Sequence, residues 1–229
     1  MASSLLVTTA AAKGPEDAVA PVYNAAEDVY EISTPAQLMY LSGTWKEGAP
    51  RDGNYVLTAD IDMAGWEGFR PIASEKEEGY LGTFDGQYHV IRNLTIDYPK
   101  KYVGLFGYVG NENDQAYVKN VAMIDCEIRG QQNVGGIAGV TYGTITGCVV
   151  TGHVWVDDLS NSHTSGGIAG KVKEGEGPII GHVENCYVNA VVEAPYDVGG
   201  VAGIQDGGGF VGNCFAAGTV SAYGENGSA

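Results

Sequence analysis

The sequence predicts an all-β solenoid, a coil of short strands stacked along one axis. Three observations carry the prediction. A Gly-Φ-x-Gly unit (Φ apolar) recurs four times at nearly constant spacing. A Cys or Val follows each copy at one repeat position. The copies are joined without any amphipathic helical stretch, and a fixed period of roughly 20–50 residues signals stacked supersecondary units. Glycine is abundant, 35 of 229 residues, yet the hydrophobic share is 44%, so the glycines belong to packed structure rather than to a linker.

Taken in order, residues 1–28 are rich in Ala, Pro, Glu and Asp and show no periodicity. They read as a disordered leader or signal remnant. Ala10-Ala11-Ala12 resembles the end of a secretory signal, but the apolar core Leu5-Leu6-Val7 is short. Val29 to Ile32 is a short strand. A helix is predicted from Pro35 to Leu41, with Thr34 as N-cap, Pro35 in the first position, Gln37 completing a capping box, and Gly43 closing it. Leu38 and Leu41 would face inward. One short helix ahead of a run of strands is expected to cap the open end of the stack. Thr44 to Asn54 is a polar loop. Tyr55 to Met63 alternates apolar and polar residues as a half-buried strand does. A loop from Gly65 to Glu78 follows, then an Asp85-Gly86 turn, and short strands at 89–91 and 94–96.

The regular repeats begin at Tyr102. Their signatures are Gly104-Leu105-Phe106-Gly107, Gly136-Ile137-Ala138-Gly139, Gly167-Ile168-Ala169-Gly170 and Gly200-Val201-Ala202-Gly203, with steps of 32, 31 and 33 residues. The paired position holds Val121, Cys148, Cys186 and Cys214. Cys and Val alternate there as small buried hydrophobes do, so the three thiols are read as an inward ladder of reduced cysteines. The fourth cysteine, Cys126, lies outside that ladder. With no Cys-x-x-Cys pair, the pattern predicts no metal site and no cofactor.

The segment from second glycine to the Cys/Val position is 14, 9, 16 and 11 residues long in the four copies. Variable length at one corner marks a solenoid with loops on one edge. Three short strands per repeat and about six turns are expected, each strand pairing with its equivalent ~4.8 Å away. Glycine allows tight corners where a Cβ would meet the next coil. The solenoid is expected over 29–223, with capping and lead-in at 29–101 and repeats at 102–223. Residues 224–229 read as a linker to a missing further repeat, leaving a C-terminus without a cap.

The four Gly-Φ-x-Gly units resemble the GLUG motif, a short repeat of bacterial surface proteins that also occurs in non-catalytic regions of IgA-specific metallopeptidases. Tyr30 to Leu38, Tyr55 to Met63, Leu81 to Gly86 and Ile91 to Ile96 are similar to the usual lead-in, so the resemblance covers about residues 29–223. It implies a right-handed parallel β-helix in an exported bacterial protein, secreted or at the cell surface. It implies no single activity. No His-Glu-x-x-His occurs here, so peptidase chemistry is not carried over.

Composition narrows function further. With 12 Lys and Arg against 28 Asp and Glu, the formal charge of −16 argues against nucleic acid and against anionic membranes. No run approaches the ~18 apolar residues of a membrane span, so no membrane insertion is expected. His89, His153, His163 and His182 are scattered. Asp60 and Asp62 share a strand face and are the candidate acid–base or Ca²⁺ pair, against the plainer reading of an outward polar face. Asp85 reads as a turn residue, and Asp157-Asp158 as solvation. Lys119, Arg129, Lys171 and Lys173 are unclustered in sequence. Tyr80, Tyr88, Tyr98, Tyr102, Tyr142 and Tyr196 fall at loops or corners, where aromatics stack on sugars or anchor protein partners. The expected role is a non-catalytic structural or adhesive module that binds a glycan or protein ligand through loops on one edge, including 108–117 and 171–182. The alternative is a carbohydrate-active β-helix enzyme, a polysaccharide lyase or glycoside hydrolase. A bare C-terminal end also allows end-to-end stacking of subunits.

Overall fold

Alternation along the strands decides which side chains enter the coil. In Tyr187–Ala194 the residues Val188, Ala190, Val192 and Ala194 are buried, and the intervening side chains point outward. Each inward residue meets its counterpart in the next turn. Met123 pairs with Val150, Val150 with Val188, and Val188 with Ala216. Burying each such aliphatic side chain is worth about 1.5–3 kcal/mol against leaving it exposed. A computed structural model of the chain, describing residues 11–43, 49–75, 79–157 and 163–224, shows an all-β, right-handed solenoid of about five turns with almost no helix.

The coil has four walls. The first holds, in order, Val22–Asn24, Val29–Ile32, Tyr55–Leu57, Thr83–Asp85, Tyr117–Lys119, Thr144–Thr146, His182–Glu184 and Phe210–Gly212. The second holds Ile61–Asp62, Val90–Arg92, Ala122–Gly130, Val149–Val156, Tyr187–Ala194 and Phe215–Ala222, with Thr95–Asp97 also pairing with Ala122–Gly130. The third is Lys101–Val103, Gln132–Gly135, Thr164–Gly166 and Asp197–Gly199. The fourth is Phe106–Val109, Ala138–Thr141, Ala169–Lys173 and Ala202–Asp206. Among the described strands every pairing is parallel except that of Val22–Asn24 with Val29–Ile32.

Two expectations need correction. A full turn carries four strands, not three, because the Gly-Φ-x-Gly unit is divided. Its first glycine and Φ residue form a corner between the third and fourth walls, and only x-Gly enters the fourth. There are also about five turns rather than six. The corner is a ladder of its own: the Phe106 N–H donates to Ile137 O at 2.8 Å, and the Ile137 N–H to Ile168 O at 2.9 Å. Leu105, Ile137 and Ile168 are fully buried there.

The glycines of this corner are close-approach glycines. A Cβ on Gly136 would lie 2.4 Å from Gly167 O and 2.7 Å from Val150 Cγ1. One on Gly139 would lie 2.4 Å from the Tyr102 carbonyl carbon in the preceding turn. The same crowding holds at Gly104, Gly107, Gly167, Gly170, Gly200 and Gly203.

The helix forms over Pro35–Tyr40, with Thr34 Oγ1 accepting from the Gln37 N–H at 3.3 Å. Leu38 and Leu41 are buried, as the pattern requires. It is not a clear cap. The strand beyond Val29–Ile32 on the first wall is Val22–Asn24, laid antiparallel on it. The leader therefore holds more structure than its composition suggests: a 3-10 turn at Pro15–Asp17, this strand, and a bridge from Lys13 to Trp66. Residues 1–10, 44–48, 76–78, 158–162 and 225–229, including parts of the expected leader, loops and linker, lie outside the described residues.

The two halves of the core differ. Between the N-terminal strand and the second full turn runs an aromatic chain, Tyr23, Tyr30, Tyr55, Tyr80, Phe106 and Phe84, with successive ring centroids 4.9–6.2 Å apart. The buried hydroxyls find carbonyls: Tyr55 donates to Pro50 O at 2.8 Å and Tyr80 to Gly53 O at 3.0 Å. Beyond Phe106 the interior is mainly Val, Ile, Ala and Cys, with Met123 among them. The last turn is partly open, and Val220 is 37% exposed where its partner Val192 is fully buried.

Candidate ligand-facing edge

The third and fourth walls fold closely against each other because Gly139 and Gly170 carry no side chain. Outside this crease, Tyr108, Val140 and Tyr142 form a small second hydrophobic cluster, with Tyr102 and Ile179 packed on it. The Tyr102 and Tyr108 rings lie 4.8 Å apart. Lys173 sits 5.3 Å over the Tyr142 ring, and Lys171 pairs with Asp206 at 3.1 Å. A groove of about 380 Å³ runs here, lined by Tyr102, Gln132, Thr164, Lys171, Lys173 and Asp197 among others.

The corner between the fourth wall and the first lies beside this groove. It is not the one variable corner expected, because the corner from the second wall to the third also ranges from one residue between Gly130 and Gln132 to seven between Val156 and Thr164. The two long loops of the fourth-to-first corner belong to alternate turns and fasten to each other across the short corner at Tyr142 and Gly143. The Glu176 N–H donates to Glu112 O at 2.6 Å, and Gln115 Nε2 to Ile180 O at 3.3 Å. Tyr142 Oη donates to Glu112 Oε1 at 3.4 Å beneath them. The expected loop segments 108–117 and 171–182 thus form one composite surface.

The other walls are stapled by charge. Asp60 accepts from the Val90 N–H at 3.0 Å, contacts His89 at 3.1 Å and pairs with Arg92 at 3.6 Å. Asp62 accepts from Asn93 Nδ2 at 2.8 Å. These contacts hold both carboxyls below their ordinary range, chiefly the Val90 N–H for Asp60 and the Asn93 amide for Asp62. Each of the paired aspartates is engaged with the following turn. Lys119 pairs with Asp85 at 3.2 Å. Arg129 joins Asp97 of the preceding turn to Asp157, which corrects the reading of Asp157 as mere solvation; Asp158 lies outside the described residues. His153 bonds Glu193 at 2.8 Å and stacks on Trp155 at 4.1 Å, His182 contacts the Phe210 ring, and His163 is buried.

Cys148 and Cys186 are buried and Cys214 half-buried, all free thiols one above another, each with its sulfur near a backbone carbonyl of the turn before. Cys126 faces a different ladder, opposite Gly152, because a register shift separates it from Met123. Among the described residues no group of three or more His, Cys, Asp or Glu could hold a metal ion, and no catalytic site is evident. Of the six loop tyrosines singled out, Tyr80 and Tyr142 are buried, Tyr98, Tyr102 and Tyr196 half-buried, and Tyr88 81% exposed.

One set of residues escaped sequence reasoning. Asn120, Gly147, Asn185 and Asn213 all have left-handed backbone, φ between 52° and 63°, at the corner from the first wall to the second. The signal was present: each directly precedes the Cys/Val position, and Asn and Gly are the residues that enter this conformation most readily.

A right-handed solenoid with a creased, loop-bearing edge is what the geometry defines. It shares its fold with the crystal structure of a candidate immunoglobulin A1 protease from Bacteroides ovatus, at a TM-score of 0.69 and 29% sequence identity over 85% of this chain and 58% of that one. In sequence, 140 residues are 36% identical to halomucin from Haloquadratum walsbyi, covering 56% of this chain and 2% of halomucin. The chain therefore spans less than two thirds of either relative. No protein-family profile matches it. Among the described residues no helix is long and apolar enough to cross a membrane.

Proposed function

We propose that this chain is a non-catalytic structural module of a secreted or cell-surface bacterial protein, and that it presents the edge formed by 108–117 and 171–182 to a host or matrix ligand. The observation that carries the reading is that the two long loops at the corner from the fourth wall to the first interlock across a turn. A coil under selection only for stacking has no need of long loops that interlock across a turn. The likeness to a candidate immunoglobulin A1 protease and to a halomucin supports an extracellular setting, since immunoglobulins and mucins lie outside the cell. The division of labour resembles that of GLUG-bearing regions, in which the repeat accompanies catalysis without performing it.

Replacing residues 174–181 by the short corner 207–209 tests the proposal. Binding to an array of host glycans and matrix proteins is expected from the parent and lost from the exchanged chain, with the circular dichroism spectrum retained. Unaltered binding after the exchange would overturn the edge assignment. Polysaccharide cleavage abolished by Asp60→Ala or Asp62→Ala would overturn the non-catalytic reading in favour of a carbohydrate-active enzyme.

A further inference from the structure

We propose that the trough along the third and fourth walls binds a glycan chain whose sugars carry carboxylates at intervals, as a uronate-containing polysaccharide does. This rests on the reading that the loop-bearing edge faces a ligand, and it names the chemistry of that ligand.

The trough is longer than one groove. A depression of about 460 Å³ beside Arg70 shares Tyr98 and Lys100 with one of about 360 Å³. That second depression shares Tyr102 with the groove at Lys171 and Lys173. The three follow one another from turn to turn and give an elongated site suited to a chain rather than to a compact molecule.

Its charge differs from that of the rest of the surface. The chain has 12 Lys and Arg, of which Lys46 and Lys76 lie outside the described residues. Of the remaining ten, five line the trough: Arg70, Lys100, Lys101, Lys171 and Lys173. Two carboxylates, Glu75 and Asp197, line it with them. A strip with an excess of cations on a molecule of net charge −16 is a local inversion of sign. On the first and second walls Arg92, Lys119 and Arg129 are all taken up in ion pairs between turns, and in the trough Lys171 makes such a pair with Asp206.

The uncharged lining suits sugar. Tyr98 and Tyr102 are half-buried, and Tyr102 is backed by Tyr108, so each offers a supported aromatic surface to the apolar side of a pyranose. Gln131 and Gln132 add amides that match hydroxyls in both directions. Lysines spaced along the trough meet carboxylates one at a time through charge-assisted hydrogen bonds. A nucleic acid, with a charge on every phosphate, places most of its charge against the acidic remainder of the surface.

The test is calorimetric titration of the full chain with size-defined hyaluronate oligosaccharides and with the same oligosaccharides after reduction of their carboxyls to alcohols. The parent is expected to bind the carboxylate form at least ten-fold more tightly. Lys171→Ala with Lys173→Ala should abolish that preference, and so should Lys100→Ala with Lys101→Ala, which alters only exposed side chains. Tyr102→Ala should weaken both forms alike, and Lys119→Ala on the first wall should change neither. Equal binding of the two forms, or a preference that survives both lysine pairs, would overturn the proposal. Binding of neutral glycans or proteins with none to hyaluronate would overturn the carboxylate assignment and leave the ligand-facing edge standing. Absence of binding to every array component would overturn both.

Discussion

At the scale of single residues, the corner from the first wall to the second depends on left-handed backbone. Asn185 has φ of 54° and lies directly before Cys186. A residue with a Cβ and no local side-chain hydrogen bond pays about 1–2 kcal/mol in this region, and glycine does not. Asn185→Ala should therefore lower unfolding free energy by about that amount in urea titration, and Asn185→Gly should stay close to the parent. The thiols belong to the same scale. Burial pushes Cys126 up to about 12, hydrogen bonding with Cys148 and then burial raise Cys186, and burial raises Cys214. Protonated, enclosed thiols react slowly, because the thiolate is the nucleophile. Alkylation with iodoacetamide at pH 8, followed by mass spectrometry, should label half-buried Cys214 first and the other three only on unfolding. The Cys/Val alternation made this ladder legible, because in a parallel stack each position is its own neighbour one turn on. Cys126 was not placed by sequence, since its partner depends on a register shift that no spacing announces.

Elements follow from how closely the walls approach. Gly136→Ala would place a methyl 2.4 Å from the Gly167 carbonyl oxygen, which is backbone and cannot turn aside. Overpacking of this kind costs about 1–3 kcal/mol, and a lowered thermal midpoint without loss of the β-type circular dichroism spectrum is the expected result. The glycine period was readable, but its division between a corner and a strand was not. Whether Gly-Φ-x-Gly is one strand or a bend depends on where the neighbouring turn presents its carbonyls, and those belong to residues about thirty positions away. The short helix shows the opposite balance. Its start was fully encoded by Thr34, Pro35 and Gln37, whereas its supposed role as a cap depended on the placement of Val22–Asn24, a segment with no periodic pattern.

Across the whole molecule, charge pairs between turns act as a set of staples. Asp60, Asp62, Asp85 and Asp206 all have lowered pKa values. For Asp85 burial pushes upward but is outweighed by hydrogen bonds from the Gln87 N–H, Asn120 and Lys119. For Asp206 the bond from Lys171 dominates. A carboxyl whose folded pKa lies below its unfolded value of about 4 takes up protons more readily when unfolded. Its stabilising contribution is thus complete above about pH 4 and is lost as pH falls through the folded value. Comparing the parent with Asp85→Asn isolates this effect from the general relief of negative repulsion on acidification. The parent should be the more stable at pH 7, and the two thermal midpoints should converge as the pH is lowered toward 2. A gap that stays constant over that range would show that Asp85 contributes through something other than its charge.

The sequence by itself determined that this is a stacked coil, where the repeats fall, and which positions point inward. Those properties are periodic, and in a parallel stack the period of the sequence is the period of the structure. Only the tertiary structure decided that a turn has four walls, that the third and fourth fold against each other over bare glycine, and that the long loops of alternate turns meet. It alone brought Arg70, the adjacent Lys100 and Lys101, and Lys171 with Lys173, three places far apart in sequence, onto one strip of an otherwise acidic surface. The physical reason is that neighbours along the coil axis are separated by about one repeat in sequence, so a site built across turns is set by the geometry of the corners between them.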